Sequence, residues 1–179
     1  MLVLVKLEER YMPQLVDMMD EWTASGEEIV PYAIQKTDYH QFSTYFPSLE
    51  VGEGHPELAP DSTWFCLDTG RNRFVGAVNI RHRLNERLLL HGGHIGDGVR
   101  PSERGKGIAT QMIALALEKC GALGIRRVLM VCDKDNPASA RTIVKNDGVL
   151  ENEVTDAEGR VEQRYWINLD GQAAAPKHM

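Results

Sequence analysis

The sequence predicts a single α/β domain with a mixed central sheet and flanking helices, and three observations favour this fold class. The 179-residue chain is 42% hydrophobic and 26% charged, as expected of one globular domain. No linker, internal repeat or low-complexity block divides it. Strand patterns come first, followed by strand, helix, strand and helix patterns and a closing strand pair, an order typical of a mixed sheet.

The first third of the chain combines an opening strand with two helices. "LVLVKL" is a strand pattern, and Pro13 marks the start of a helix that continues through "QLVDMMDEW". "DYHQFSTYF" indicates a second, short helix, and "GEGHPELAPDS" is a loop rich in glycine and proline. "TWFCLDT" and "RFVGAVNIRHR" then form a predicted hairpin around "GRN".

The remaining elements alternate. "LNERLLLHGG" predicts a short helical turn, and "HIGDGV" a strand whose Gly96 and Gly98 indicate a bulge. "GIATQMIALALEKCGALG" is an amphipathic helix pattern, "RRVLMVCD" a buried strand, and "NPASARTIVKNDG" a helix capped by Asn136. "VLENEV" and "RVEQRYWINL" close the domain, which we expect to span residues 1–170 with a flexible tail at 171–179.

Composition excludes several classes of function. The net charge of −6 argues against sequence-independent binding of nucleic acid, which needs a basic face. No stretch approaches the roughly 20 apolar residues of a membrane span, so no membrane association is expected. Cys66, Cys120 and Cys132 form no CxxC pair, which argues against a disulfide framework or zinc site. We therefore expect a cytoplasmic protein.

The stretch "VRPSERGKGIAT" places glycine and positive charge just before a helix. A P-loop would require a glycine at Arg100 and a Ser or Thr at Gly107, and a dinucleotide fingerprint would require a glycine at Thr110. Both patterns fail. A turn over residues 104–109 would still present free amides at a helix N-terminus, where an anion is favoured, and Arg104 and Lys106 add positive charge. From the residues alone, a glycine turn with solvated basic side chains remains an alternative.

A resemblance to a known family bears on this choice. "RGKGIA", preceded by Val-x-Pro, resembles the motif R/Q-x-x-G-x-G/A of the GNAT acyltransferase superfamily. "DKDNPASARTIVKNDGV", one helix and one strand later, is similar to that superfamily's second motif. The resemblance covers about residues 60 to 170, and the second motif is similar to the subgroup of ribosomal-protein N-terminal acetyltransferases.

The resemblance implies a GNAT fold in which two parallel strands, here "HIGDGV" and "VLMVCD", splay apart around acetyl-CoA. It implies acetyl transfer to a primary amine, of a small molecule or a peptide α-amine, by direct attack in a ternary complex. The coenzyme pyrophosphate would lie on the amides of the turn. The positions implied to bind acetyl-CoA are Val99, Arg104, Gly105, Lys106, Gly107, Ile108, Ala109, Asn136 and Ser139.

Two residues are candidates for the catalytic steps. His94 begins the bulged strand and has a side chain suited to accept a proton at neutral pH, although a backbone-bonded histidine is the alternative. Ser139 would donate to the leaving sulfur, as the resemblance implies, or would simply cap its helix. Ile143 stands where the family usually has a tyrosine acid. No third ligand accompanies His91 and His94, so no metal is expected.

Acceptor binding is predicted near the end of the hairpin. Asn79, Arg81 and His94 are the candidate acceptor-binding residues, with a solvated strand end as the alternative for the arginine. Arg141 and Lys145 form either a solvated basic face or a contact to the adenosine 3′-phosphate. The aromatic residues of "QRYWINL" predict pairing as a homodimer.

A second function stays open at this point. Because the tyrosine is missing and no acidic base is evident, the same fold could serve as a non-catalytic acyl-CoA-binding or sensor module. Release of free thiol from acetyl-CoA in the presence of amines distinguishes the enzyme from the sensor.

Overall fold

Seven strands and four helices form within residues 1–170, the part of the chain that the computed structural model describes. The strands are β1 (Leu2–Val5), β2 (Asp61–Asp68), β3 (Arg73–Arg81), β4 (Ile95–Val99), β5 (Arg127–Asp133), β6 (Val149–Thr155) and β7 (Val161–Asn168). The helices are α1 (Met12–Ser25), α2 (Phe42–Ser48), α3 (Ile108–Ala122) and α4 (Pro137–Lys145). The predicted strands and helices are thereby confirmed, but the bulge predicted at Gly96 and Gly98 is wrong, because β4 pairs with β3 in continuous register. The predicted tail at 171–179 lies outside the described residues.

The strands form two antiparallel sheets in place of the expected mixed sheet. The first has the order β1-β2-β3-β4 and the second the order β5-β7-β6. Between β4 and β5, the described residues show one isolated bridge, from Gly93 to Met130, and it is antiparallel. No hydrogen-bonded parallel pair appears in this part of the chain. Gly93, just before β4 begins, has a left-handed φ of 67°, which glycine adopts without strain.

Two hydrophobic clusters cover opposite faces of the first sheet. One contains Val78 and Ile80 of β3 with Met112, Ile113 and further buried residues of α3 and β5. The other packs the buried side of α1 and α2 against the aromatic residues of β2 and β3. Leu15, Met18, Met19 and Trp22 form the buried stripe of α1 at the helical spacing that the sequence predicts. Within the described residues, no helix is long and apolar enough to cross a membrane.

His94 joins the two sheets where β4 begins. Its backbone N–H donates to the Leu129 carbonyl at 2.8 Å, and the Leu129 N–H donates to His94 Nδ1 at 2.9 Å. The residue is 6% exposed. Burial, reinforced by the nearby Arg81 charge, lowers the pKa of His94 to about 4. The imidazole is therefore neutral, with its proton on Nε2, and it acts as a clamp between the sheets.

A buried ion network connects α1 to the segment that follows β4. The guanidinium of Arg100 is fully buried; it donates to Asp17 at 2.7 Å, to Glu21 at 2.8 Å and to the Phe74 carbonyl at 3.0 Å. Burial raises the pKa of Glu21, but hydrogen bonds from Arg100 and Ser102 outweigh it and lower the pKa to about 2. The two carboxylates are therefore charged at neutral pH, and their bonds to Arg100 hold the segment that follows β4 against α1.

Glu103 extends this network to the β2–β3 hairpin. Its carboxylate is 1% exposed and accepts from Arg71 at 2.7 Å and from Arg73 at 3.1 Å. Because Glu103 directly precedes the glycine-rich turn, these bonds fix where that turn starts.

The variant His94→Asn tests the clamp, because an asparagine oxygen can accept from Leu129 without titrating. An unfolded histidine has a pKa near 6.5 and binds a proton before the folded one does. We therefore expect the wild-type protein to lose stability as the pH falls from about 6.5 to 4, by up to ~1.4 kcal/mol for each pH unit, relative to His94→Asn. Free energies of unfolding in urea, measured for both proteins across this range, give the difference.

One other group titrates there in the opposite sense. Burial raises the pKa of Asp97 to about 6, so its contribution to stability falls as the pH rises between 3.8 and that value. Asp97 is common to both proteins, and its contribution cancels in the comparison. A difference that stays constant from pH 6.5 to 4.5 would contradict the clamp.

Candidate functional site

The turn before α3 presents a row of free backbone amides. Gly105 and Gly107 have left-handed φ values of 73° and 76°, which glycine adopts without strain. The N–H groups of residues 105–110 donate to no other group in the described chain. A Cβ at Gly105 or Gly107 would meet nothing within 4 Å, so open space lies beside the amides. The N-terminus of α3 adds its dipole to make this a seat for an anion.

The basic side chains of the turn are paired within the protein. Arg104 donates to the Val99 carbonyl at 3.1 Å and forms an ion pair with Glu27. Lys106 lies 3.3 Å from the buried carboxylate of Glu103. The sequence predicts that these two side chains add positive charge for a ligand. Their acidic partners offset that charge, so the amides themselves are the main attraction for an anion.

A cavity of about 630 Å³ runs from this turn to the space between β4 and α4. Its lining includes the following predicted coenzyme positions: Val99, Arg104, Gly105, Gly107, Ile108, Ala109, Asn136 and Ser139. Lys106 is not part of the lining, because its side chain turns back to Glu103. Arg141 and Lys145 line the cavity from α4. The cavity therefore has amides at one end and two cations along one wall.

The start of α4 forms the second wall of the cavity. The Asn136 side chain accepts from the Ser139 N–H at 3.2 Å, so Asn136 caps the helix as the sequence predicts. Ser139 is partly exposed and lines the cavity, and its side chain lies near Cys132 at the end of β5. Ile143 is 1% exposed and closes the wall with an apolar surface. A hydroxyl thus lies where the cavity meets β5.

Asp97 is a residue of the cavity that the sequence analysis does not select. It pairs in register with Val78, whose side chain packs toward α3, and it lines the cavity with Ser139 and Met130. Its carboxylate makes no hydrogen bond within the described residues, and burial raises its pKa to about 6. The alternation of the strand could have identified it, because Gly96 and Gly98 leave Asp97 as the one polar side chain of β4.

The predicted acceptor-binding residues lie on the opposite face of the first sheet. Asn79 is 2% exposed and donates to Thr63 at 3.0 Å, so its side chain is part of the core beneath α2. Arg81 is partly exposed, and its guanidinium reaches the Gly92 carbonyl at 3.4 Å. His94 is not part of the cavity lining and is engaged with Leu129. The structure thus brings the turn, Asp97 and Ser139 together, but not His94 or Asn79.

Metal-ligand clusters are not found in the described residues, where no three His, Cys, Asp or Glu side chains converge. His91 instead accompanies Glu162 of β7, with 2.5 Å between the imidazole Nδ1 and a carboxylate oxygen.

Comparisons with known proteins place this geometry in a family. Residues 16–147 match the sequence profile of the acetyltransferase (GNAT) family. A search of curated protein sequences finds no match.

Solved structures share the fold at low sequence identity. RimL, a ribosomal L7/L12 α-N-protein acetyltransferase solved with coenzyme A, is 20% identical, with 94% of each chain covered and a TM-score of 0.68. A point mutant of the spermidine N-acetyltransferase SpeG from Vibrio cholerae is 12% identical, covering 97% of this chain and 98% of its own, with a TM-score of 0.65. The microcin C7 self-immunity acetyltransferase MccE, solved with acetyl-CoA and AMP, is 17% identical, covering 93% and 92%, with a TM-score of 0.63.

The profile match spans most of the chain and includes the glycine-rich turn, both helices that line the cavity, and β4 and β5 between which it opens. The chain therefore belongs to the acetyltransferase (GNAT) family and is an acetyl-CoA-dependent N-acetyltransferase.

Proposed function

We propose that the protein transfers the acetyl group directly to a primary amine, of a small molecule or a peptide α-amine, in a ternary complex. The observation that carries this proposal is the cavity itself. Free amides lie at its outer end, while a carboxylate and a hydroxyl lie at its inner end, beside β4 and β5. Such a cavity matches a long thioester with a pyrophosphate at one end and a reacting carbonyl at the other.

Coenzyme A is held, in this proposal, by the turn and by α4. The amides of residues 105–110 bind the pyrophosphate, and Val99, Asn136 and Ser139 contact the pantetheine arm. Arg141 and Lys145 are exposed cations on the cavity wall and pair with the 3′-phosphate. The thioester passes between β4 and β5, beyond the Gly93–Met130 bridge, which is the one ladder contact between the two strands in the described residues.

Asp97 acts as the general base in this scheme. A carboxylate with a pKa near 6 is ionised at neutral pH and accepts a proton more readily than an exposed aspartate. The sequence analysis predicts this role for His94. We favour Asp97 because the His94 lone pair on Nδ1 already accepts from Leu129 and because His94 does not line the cavity. His94 is then a positioning residue that fixes the start of β4.

Ser139 supplies the hydrogen bond that stabilises the leaving thiolate. Its N–H is already capped by Asn136, which leaves the hydroxyl to face the cavity next to Cys132. The cysteines are unsuited to a covalent mechanism, because burial raises the pKa of Cys66 and Cys120 to about 12 and raises that of Cys132. Direct attack by the amine therefore remains, and positioning supplies much of the rate.

The assembly and compartment are also proposals. All three cysteines are buried and unpaired thiols, which supports a reducing, cytoplasmic location. Tyr165 of the aromatic segment is 6% exposed and part of the core, so it does not offer the expected dimer surface. At the edge of the second sheet, β6 exposes 68% of Val149 and 46% of Leu150. We therefore place homodimer contacts along β6.

The variant Gly107→Glu tests the coenzyme seat. A glutamate there places a carboxylate beside the free amides, and we expect coenzyme A affinity to fall by more than about tenfold because of charge repulsion and loss of the turn geometry. Isothermal titration calorimetry with coenzyme A measures the effect. Gly124→Glu is the matched control, since Gly124 has a φ of 81° and open space beyond the other end of α3. Equal affinities for the two variants would refute the anion seat.

The variant Asp97→Asn tests the base. Steady-state thiol release with a panel of amines should show a turnover about 10²–10⁴ lower, with acetyl-CoA affinity unchanged. The wild-type rate should fall as the pH drops below about 6, where Asp97 becomes protonated, and the variant should lack this limb. Asp135→Asn, an exposed isosteric change on the loop before α4, serves as the control. If His94→Asn gives the large loss and Asp97→Asn does not, the roles are reversed.

The dimer is tested by sedimentation at micromolar concentration. We expect a dimer for the wild-type protein and a monomer for the double variant Val149→Lys, Leu150→Lys, because two charges would replace the exposed apolar edge. A wild-type protein that sediments as a monomer disproves the pairing.

A further inference from the structure

Arg81 carries a positive charge and forms no ion pair within residues 1–170. Its guanidinium has five N–H donors, and within residues 1–170 it makes one hydrogen bond, to the Gly92 carbonyl at 3.4 Å, and no ion pair. Burial lowers the pKa of this arginine, yet the guanidinium stays charged at any physiological pH. Asp61, its partner across the hairpin, favours the charged guanidinium by its own negative charge, but it accepts from the Val51 N–H at 2.6 Å and forms no ion pair with Arg81.

Several other arginines of this region form ion pairs with acidic side chains. Arg83, two residues further along, forms an ion pair with Glu53 at 3.0 Å. Arg73 and Arg100 each bond to acidic side chains of α1. A partly buried cation without a counterion destabilises a folded protein, and proteins retain such groups mostly at sites of function. The guanidinium of Arg81, which is partly buried and has no ion pair in the described chain, therefore indicates a ligand.

The guanidinium lies next to the reacting end of the cavity. A Cβ placed on Gly96 would be 3.3 Å from Arg81 Nη2 and 3.3 Å from Pro31, so both side chains lie over the backbone that precedes Asp97. β4 is an edge strand whose free side faces the gap toward β5. A ligand over Gly96 can reach around this free edge to the face that carries Asp97.

We propose that the amine acceptor carries an anionic group, a carboxylate or a phosphate, that binds Arg81 from this side. This inference rests on the proposed acetyl transfer and names its substrate class. Because position 96 has no side chain, the guanidinium lies close against the β4 backbone, and its planar shape suits paired hydrogen bonds to carboxylate or phosphate oxygens. The acceptor amine, a few bonds away, then faces the thioester and Asp97.

The same geometry disfavours a polyamine. A cationic acceptor would meet the positive charge of Arg81, with Arg87 adding positive charge nearby. Like charges at short range in a partly buried site lower affinity.

The test compares acceptors that differ in one charge. Rates of thiol release from acetyl-CoA are measured with α-amino acids, with the matching amino acid amides, with aminoethyl phosphate and with spermidine. We expect kcat/KM for the amino acids or for the phosphate to exceed that for the amides by roughly 30-fold or more, as for a buried charge pair. The preferred anion identifies whether carboxylate or phosphate is the natural group.

Arg81→Gln is the variant that assigns this preference to Arg81. It should lower kcat/KM for the preferred anionic acceptor by about the same factor and change that for the amide by less than about threefold. Arg83→Gln, which removes an equal charge from an exposed and paired arginine, should leave both rates near those of the wild type. Because Arg81→Gln removes a partly buried charge, its thermal midpoint should be equal to or above the wild-type value, whereas loss of a merely structural arginine would lower it.

The outcomes separate the two levels of inference. Turnover of spermidine or of the amides that equals or exceeds turnover of the anionic acceptors overturns the substrate class and leaves acetyl transfer intact. An equal effect of Arg81→Gln on both acceptor types also overturns it. If no amine is acetylated, the proposed transfer fails, and thermal unfolding then tests the anion site by itself. The site is supported if N-acetylglycine raises the thermal midpoint of the wild type but not of Arg81→Gln, while N-acetylglycinamide raises neither. If N-acetylglycine does not raise the midpoint of the wild type, the anion site is refuted.

Discussion

The site depends on the attachment of β4 to β5 at a single point. His94 and Leu129 exchange two hydrogen bonds there, and the neighbouring Gly93–Met130 bridge is the one ladder contact between the sheets in the described chain. Paired strands lie about 4.8 Å apart, which leaves no room for a ligand. Because the attachment ends where β4 begins, the two sheets share a core and still open a cavity beyond it.

A second constraint sets the position of the glycine-rich turn. Arg100 and Glu103 are buried charges that tie the start of the turn to α1 and to the β2–β3 hairpin. Each is expensive to bury alone, and each is stable because several opposite charges surround it. The free amides that follow are therefore held in place before a ligand arrives, so little entropy is lost on binding.

Charge is distributed unevenly around the reacting centre. Arg104 and Lys106 of the turn are paired with acids, while Asp97 of β4 and Arg81 of β3, whose side chains lie on opposite faces of the sheet, form no ion pair in the described residues. A partly buried carboxylate and a partly buried guanidinium without ion pairs reduce the stability of the fold, and proteins retain such groups mostly at functional sites. In the proposed mechanism, proton transfer takes place on one face of β4 and recognition of the acceptor on the other.

The sequence by itself determined the helices and strands and the place of the glycine-rich turn before α3. Periodicity, the Asn136 cap and the positive-φ glycines are local signals, because neighbouring residues alone create them. The tertiary structure decided what local patterns do not encode. Whether His94 has a free lone pair depends on Leu129, 35 residues away. The positive charge that Arg104 and Lys106 can offer to a ligand depends on their ion pairs with Glu27 and Glu103. The relation of β4 to β5 likewise depends on contacts between distant segments, the Gly93–Met130 bridge and the hydrogen bonds of His94 with Leu129. Hydrogen bonds and ion pairs between distant segments form only when packing brings them within about 3 Å, and these contacts decided which polar residues are structural and which remain available for chemistry.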